Sequence, residues 1–316
     1  MLQERRAGYW LRAAAADWSV ILASLAAAHV IDRWPGYVVA WLIVGNRQHA
    51  LSLLGHDGAH RLICRDRAAN DWLTCLLSFW PLWTDLEPYR RFHFAHHRHV
   101  GTVDDPETGW KGIAPGDDPP LTAMNVVRWF LLDLIGLGAI ESGWYFKHYR
   151  PSPLGPALFW SGIAFAAYWC GLLWAVLLWH AAFLTSFWAF FRLRAYTEHW
   201  GTTGTHRCRP RWWQRAFLPH NTWAHFEHHE RPDLPFWALP HYVATRSRHR
   251  RAVAEPRLVA GADQRETAAV LRRGREPSPF AIGHRPADKL LLGQRRAEKS
   301  LVVHRTNAVE TRKIQR

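Results

Sequence analysis

The chain has 316 residues, 48% hydrophobic and 21% charged, with a formal net charge of +14, 20 Trp, 20 His and four Cys. That composition excludes a chain disordered throughout, and four scattered cysteines without a CxxC pair exclude a disulfide-dense scaffold or a Cys-based zinc ribbon. The charge at first suggests a nucleic-acid binder, but its distribution argues against one. Residues 246–316 hold 18 Lys/Arg against 7 Asp/Glu, while residues 1–245 hold 22 against 19 and every Trp. The sequence therefore divides into an aromatic, apolar, His-rich body, residues 1–245, and a basic, flexible tail, residues 246–316. No nucleic-acid partner is expected. The tail has one aromatic residue, Phe280, and can form little core.

The body reads as an all-α membrane bundle of about four spans in two hairpins. Residues 13–31 form the first candidate span, since about 20 apolar residues cross a bilayer. A turn at 32–36 leads into the second, residues 37–55, which Asn46, Arg47, Gln48 and His49 interrupt. Either these polar residues face the protein interior, or the helix leaves the bilayer early. Residues 70–83 and 121–140 are weaker apolar segments, the latter containing Arg128 and Asp133. They are expected at the interface or packed under the bundle. Residues 154–191 are too long for one span and are split near 171–174 into a third and a fourth helix.

Arginines place the loops. Arg5, Arg6 and Arg12 precede the first helix, Arg61, Arg65, Arg67, Arg90, Arg91 and Arg98 follow the second, and Arg192 and Arg194 follow the fourth. The positive-inside rule puts all three regions in the cytoplasm, in the inner membrane, with the first helix retained rather than cleaved.

Three histidine clusters lie on that same side. His56 and His60 give HxxxH; His93, His96 and His97 give HxxHH; His225, His228 and His229 give a second HxxHH. On a helix, residues three and four apart share a face, so each cluster can aim two or three imidazoles at one point. Eight convergent imidazoles exceed the needs of one four-coordinate zinc and suit two metal ions. Asp57, Asp104, Asp105, Glu198 and Glu227 lie close by in sequence and could hold the second ring nitrogen of a ligating histidine, Asp57 and Glu198 above the others.

These three boxes resemble the signature of the membrane fatty acid desaturase superfamily. The resemblance covers roughly residues 15–245. His96–His99 followed by Asp104, Asp105, Pro106 and Glu107 resembles the family's extension of its second box. Glu230, Arg231, Pro232, then Leu234, Pro235, Leu239 and Pro240, resemble its ending. The resemblance implies a cytoplasmic cap in which two iron ions are ligated by His56, His60, His93, His96, His97, His225, His228 and His229, with His199 as a ninth ligand. Some relatives carry a polar residue one turn before that extra histidine; here it is Ala195, with Asn221 as a possible substitute. His99 and His220 are expected beside the site or at the surface. His29, His49, His148, His180, His241, His284 and His304 are expected to be structural or solvated.

The activity so implied is O2-dependent formation of a C=C bond, in a fatty acyl chain or a small amphiphilic metabolite such as a dihydrorhizobitoxine-like amino acid. A hydroxylase or carotenoid ketolase on the same centre is the alternative. Electrons must come from an external ferredoxin- or cytochrome-like donor. The chain has no fused haem-binding HPGG, no Cys-rich iron–sulfur pattern and no GxGxxG. A zinc hydrolase fits poorly, because Asp57 stands where HExxH needs its glutamate.

Overall fold

A computed structural model describes residues 6–107, 121–149 and 152–254. Most of the basic tail, residues 255–316, lies outside the described residues, as do His284 and His304. Every regular element among the described residues is helical.

α1 (Ala7–Ile31) and α2 (Trp34–Ala59) form the first hairpin. The turn is tight because Asp32 adopts a left-handed conformation (φ 45°) and its amide closes on the Ala28 carbonyl, while Pro35 starts α2. Trp10 is buried between the two helices and its Nε1 donates to the Leu54 carbonyl at 3.0 Å. The polar stretch of α2 does not end the helix; it faces inward. Arg47 pairs with the buried Asp17 of α1 at 3.0 Å, and Gln48 Nε2 donates to the Trp179 carbonyl at 2.9 Å. In a bilayer such groups must find partners inside the protein.

α3 (Arg67–Thr74) is capped by Asp66, which accepts from the Ala69 amide at 2.6 Å, and continues through a π turn (Cys75–Phe79) and a 3-10 turn (Trp80–Leu82). This segment packs against the end of α2. A Cβ at Gly58 would overlap the Thr74 side chain, so the two backbones approach closely only because residue 58 is glycine. α4 is Leu86–His99.

α5 (Ala123–Leu134) and α6 (Leu137–Tyr149) meet at an 80° bend. The buried Asp133 receives two hydrogen bonds from Arg192, at 2.6 and 3.0 Å, which neutralise the charge that interrupts this apolar segment. α7 (Leu154–Trp169) and α8 (Leu173–Leu184) form the second hairpin, turning at Gly171 with φ +68°. The expected split near 171–174 falls at this turn. α9 (Ser186–Glu198) extends α8. A Cβ at Gly45 of α2 would overlap Ser186, so α2 and α9 cross at close quarters.

By length and hydropathy, α1 and the α8–α9 segment Leu173–Glu198 are each able to cross a membrane, and the bent α5–α6 pair counts as a third if taken as one span. α2 is long enough but too polar, and α7 has 16 residues, about 24 Å. Both pack beside the apolar helices, so the hairpin pairing holds even though four independently apolar spans do not. Leu22, Val30, Leu158, Phe165 and Leu177 point outward, as a lipid-facing surface requires. Two 3-10 segments (Trp212–Ala216 and Pro219–Ala224) lead into the short α10 (His225–Glu230), and α11 (Leu239–Ala254) runs on past residue 245.

Candidate metal centre

Four helix ends converge on one side of the bundle. His56 lies in the last turn of α2 and His60 caps it. His93, His96 and His97 lie on α4, His199 caps α9, and His225, His228 and His229 lie on α10. Two hydrogen-bond devices hold these ends in register. Asn70 is fully buried; its Nδ2 donates to the Gly58 carbonyl at 2.8 Å and its Oδ1 accepts from the Ile63 amide at 3.2 Å. Arg90 of α4 donates from Nε to the Ala59 carbonyl at 2.8 Å and pairs with Asp71 at 2.7 Å. The carbonyls left open at the end of α2 are thus capped by the helix that carries the second box.

All nine expected residues come together, in two groups. His56, His60, His93, His97 and His228 form one; His96, His199, His225 and His229 form the other. The box spacing explains the division. Residues four apart on a helix project along nearly one line, and those three apart are rotated by about 60°. His93 and His97 therefore share a group while His96 turns to the other. In the third box His225 and His229 pair while His228 crosses over.

The nitrogens are spaced as ligands. His60, His93, His97 and His228 form a chain of Nε2–Nε2 contacts at 3.0, 2.9 and 3.0 Å. His199, His225 and His229 form another at 2.9 and 3.0 Å. Two nitrogens bonded to one ion at about 2.1 Å and a right angle apart would sit about 3.0 Å from each other; a tetrahedral pair would be about 3.4 Å apart. The contacts match the wider coordination number. His56 Nε2 and His96 Nε2, one from each group, are buried with no hydrogen-bond partner. A metal would satisfy both.

The outer ring nitrogens are held by acceptors. His199 Nδ1 faces the Gly204 carbonyl at 2.8 Å, His96 Nδ1 faces both Asp105 oxygens at 2.9 and 3.0 Å, and His225 Nδ1 lies 3.2 Å from Glu198 Oε1. The Gly204 carbonyl and Asp105 keep the proton on Nδ1 of His199 and His96 and leave the Nε2 lone pair facing inward. Burial, then the charge of neighbouring imidazoles, pushes His93, His225 and His228 well below the usual imidazole range and lowers His229. The same causes bring His60 to about 3 and His97 to about 4. These imidazoles are held neutral, the form that ligates metals, whereas at His96 burial is outweighed by Glu107 and Asp105, which raise it.

Some expectations need correction. Asp57 does not hold His56: its oxygen is 3.8 Å from His56 Nδ1, and its other oxygen accepts from the Phe236 amide at 2.9 Å. Asp105, given no preference over its neighbours by sequence, is the carboxylate on His96. Its only signal was its place nine residues after that histidine. Asn221 is no ligand, because its Nδ2 donates to the Phe236 carbonyl and its Oδ1 accepts from Trp223. His220 Nε2 is hydrogen-bonded to Asp17 Oδ2 at 2.7 Å. His180 bridges Trp83 and the Val176 carbonyl, and His29 stacks on Trp174. The bracing roles of Asn70 and Arg90 carried no motif and went unread.

A cavity of about 30 Å3 opens beside the cluster, lined by His56, His225 and His228 and by Arg194, Thr222 and Phe236 among others. It touches both histidine groups.

Residues 32–256 match the profile of the fatty acid desaturase family. Among curated proteins, a dihydrorhizobitoxine desaturase from Bradyrhizobium elkanii is 29% identical over 252 residues, covering 71% of each chain. A chloroplastic omega-6 fatty acid desaturase from Glycine max is 24% identical over 70% of this chain and 60% of its own length. A ferredoxin-type sn-1 acyl-lipid omega-3 desaturase from Synechocystis is 30% identical over 29% of this chain and 25% of its own length.

Proposed function

The chain belongs to the fatty acid desaturase family, whose members are oxidoreductases, and from that premise we propose that it is a membrane-bound, non-haem di-iron desaturase. The proposed ligands are His56, His60, His93, His97 and His228 for one iron, and His96, His199, His225 and His229 for the other. The reaction is O2-dependent introduction of a C=C bond into a fatty acyl chain or a small amphiphilic metabolite. The observation that carries the reading is the division of nine imidazoles into two groups whose nitrogens are spaced as ligands.

Bound iron would supply the oxygen activation and hydrogen abstraction that no side chain can perform; zinc has no redox chemistry. The chain's own residues supply placement. Asp105 fixes the tautomer of His96, and Glu198 lies beside His225 Nδ1. The cavity lets a substrate carbon approach His56, His225 and His228, beside both groups. Electrons come from a separate ferredoxin- or cytochrome-like donor; the Synechocystis relative is a ferredoxin-type enzyme. The arginines around the boxes support a cytoplasmic site in the inner membrane. Residues 1–245 form the desaturase domain and 246–316 a basic extension.

Untargeted mass spectrometry of lipid and water-soluble extracts tests this, comparing cells making the wild type with cells making His96→Ala. A wild-type-only species lighter by two hydrogens is expected, and its fraction reports whether the substrate is a lipid or a small metabolite. A species heavier by one oxygen would replace desaturation by hydroxylation. No difference in either fraction would refute the reading.

A further inference from the structure

Arg194 lies on the last turn but one of α9, and its side chain lines the cavity. Its Nε donates to Glu198 Oε1 at 2.6 Å. That same oxygen lies 3.2 Å from His225 Nδ1 and accepts from the Thr222 hydroxyl at 3.1 Å. One carboxylate oxygen thus accepts two hydrogen bonds and lies close to a third nitrogen. Among the described residues, the two terminal nitrogens of Arg194 have no hydrogen-bond partner. A guanidinium with one edge bound and the other open matches a carboxylate bidentately.

The cavity wall mixes apolar side chains, Leu53, Phe236 and Leu239, with the polar Asp57, Asn221 and Thr222. The Phe191 ring carries the Arg194 guanidinium at 5.6 Å on one side and meets the His49 ring edge-on at 6.5 Å. His49 is fully buried, and neither of its ring nitrogens has a partner. Asp57, on the α2 wall, has one oxygen committed to the Phe236 amide.

We propose that Arg194 anchors the free carboxylate of a short amphiphilic substrate in this cavity. The proposal rests on the desaturase reading and narrows its substrate class. A single carboxylate oxygen separates the guanidinium from His225. An anchored carboxylate therefore leaves only a few carbon–carbon bonds before the histidine cluster, and the bond oxidised lies near the acid group, not midway along an acyl chain.

The test is ligand binding to the full chain in lipid nanodiscs, by saturation-transfer NMR, with hexanoate and hexan-1-ol as probes and empty nanodiscs subtracted. The wild type should bind hexanoate about tenfold or more tightly than the alcohol, the value of a charge-assisted fork. Arg194→Gln should abolish that preference, and Arg194→Lys should keep part of it. Equal binding of the two probes by the wild type overturns the proposal whatever the variants do. So does a preference that survives in Arg194→Gln, or a natural product whose new double bond lies midway along a long chain. Iron content and oxygen uptake are measured on the same preparations. If both are absent, the desaturase reading fails while the binding result stands; if both are present without anion preference, the anchor alone fails.

Discussion

Asp105→Asn separates the two histidine groups. Asp105 is buried and faces His96 Nδ1 with both oxygens, at 2.9 and 3.0 Å, and it also accepts from the Glu107 amide at 2.9 Å. His96 belongs to the group of four. The asparagine keeps the shape but removes the charge that fixes the tautomer and strengthens the imidazole as a donor. Loss of such a partner weakens metal affinity about 10- to 100-fold, roughly 1.4–2.7 kcal/mol. The effect should be confined to one of two metals. Metal-stripped protein titrated anaerobically with Fe(II) should take up two equivalents in the wild type. In Asp105→Asn one equivalent should bind unchanged and the other 10- to 100-fold more weakly. Two unchanged equivalents, or an equal fall in both, would refute the division into five and four.

Other predictions address the ligands, the scaffold and the charge state. His96→Ala and His228→Ala remove one imidazole from each group, and each should abolish turnover while leaving membrane insertion intact; activity retained in either removes that residue from the ligand set. Asn70→Leu strands the Ile63 amide and removes one of the bonds to the Gly58 carbonyl, and should cost about 2 kcal/mol in chemical denaturation, with unchanged stability counting against the bracing role. The metal-free protein should lose stability in acid. His60 and His97 are held at about 3 and about 4 when folded, whereas an unfolded imidazole titrates near 6.5. The unfolded chain therefore takes up protons first, and stability falls as pH drops below about 6.5 towards 4. Equal melting temperatures at pH 8 and pH 5 would contradict the burial of His60 and His97 in neutral form.

The helical architecture and the identity of the clustered histidines were legible from spacing. Two hairpins follow from apolar run lengths, and HxxxH and HxxHH follow from the 3.6-residue period, because both are properties of one element at a time. Which imidazole joins which group was not legible. His96 faces His199, His225 and His229, and that depends on how α4, α9 and α10 cross. The polar stretch at residues 46–49 was ambiguous for the same reason. Arg47 needs Asp17 from α1 and Gln48 needs the Trp179 carbonyl from α8, so only the assembled bundle shows that the helix continues. The carboxylates divide likewise. Glu198 and Asp57 look equivalent beside their histidines in sequence, yet one reaches His225 and the other turns to the Phe236 amide. Local periodicity determines which side chains can share a face. Packing between elements distant in the chain decides what that face meets, because hydrogen bonds and coordination require distances that sequence separation does not encode.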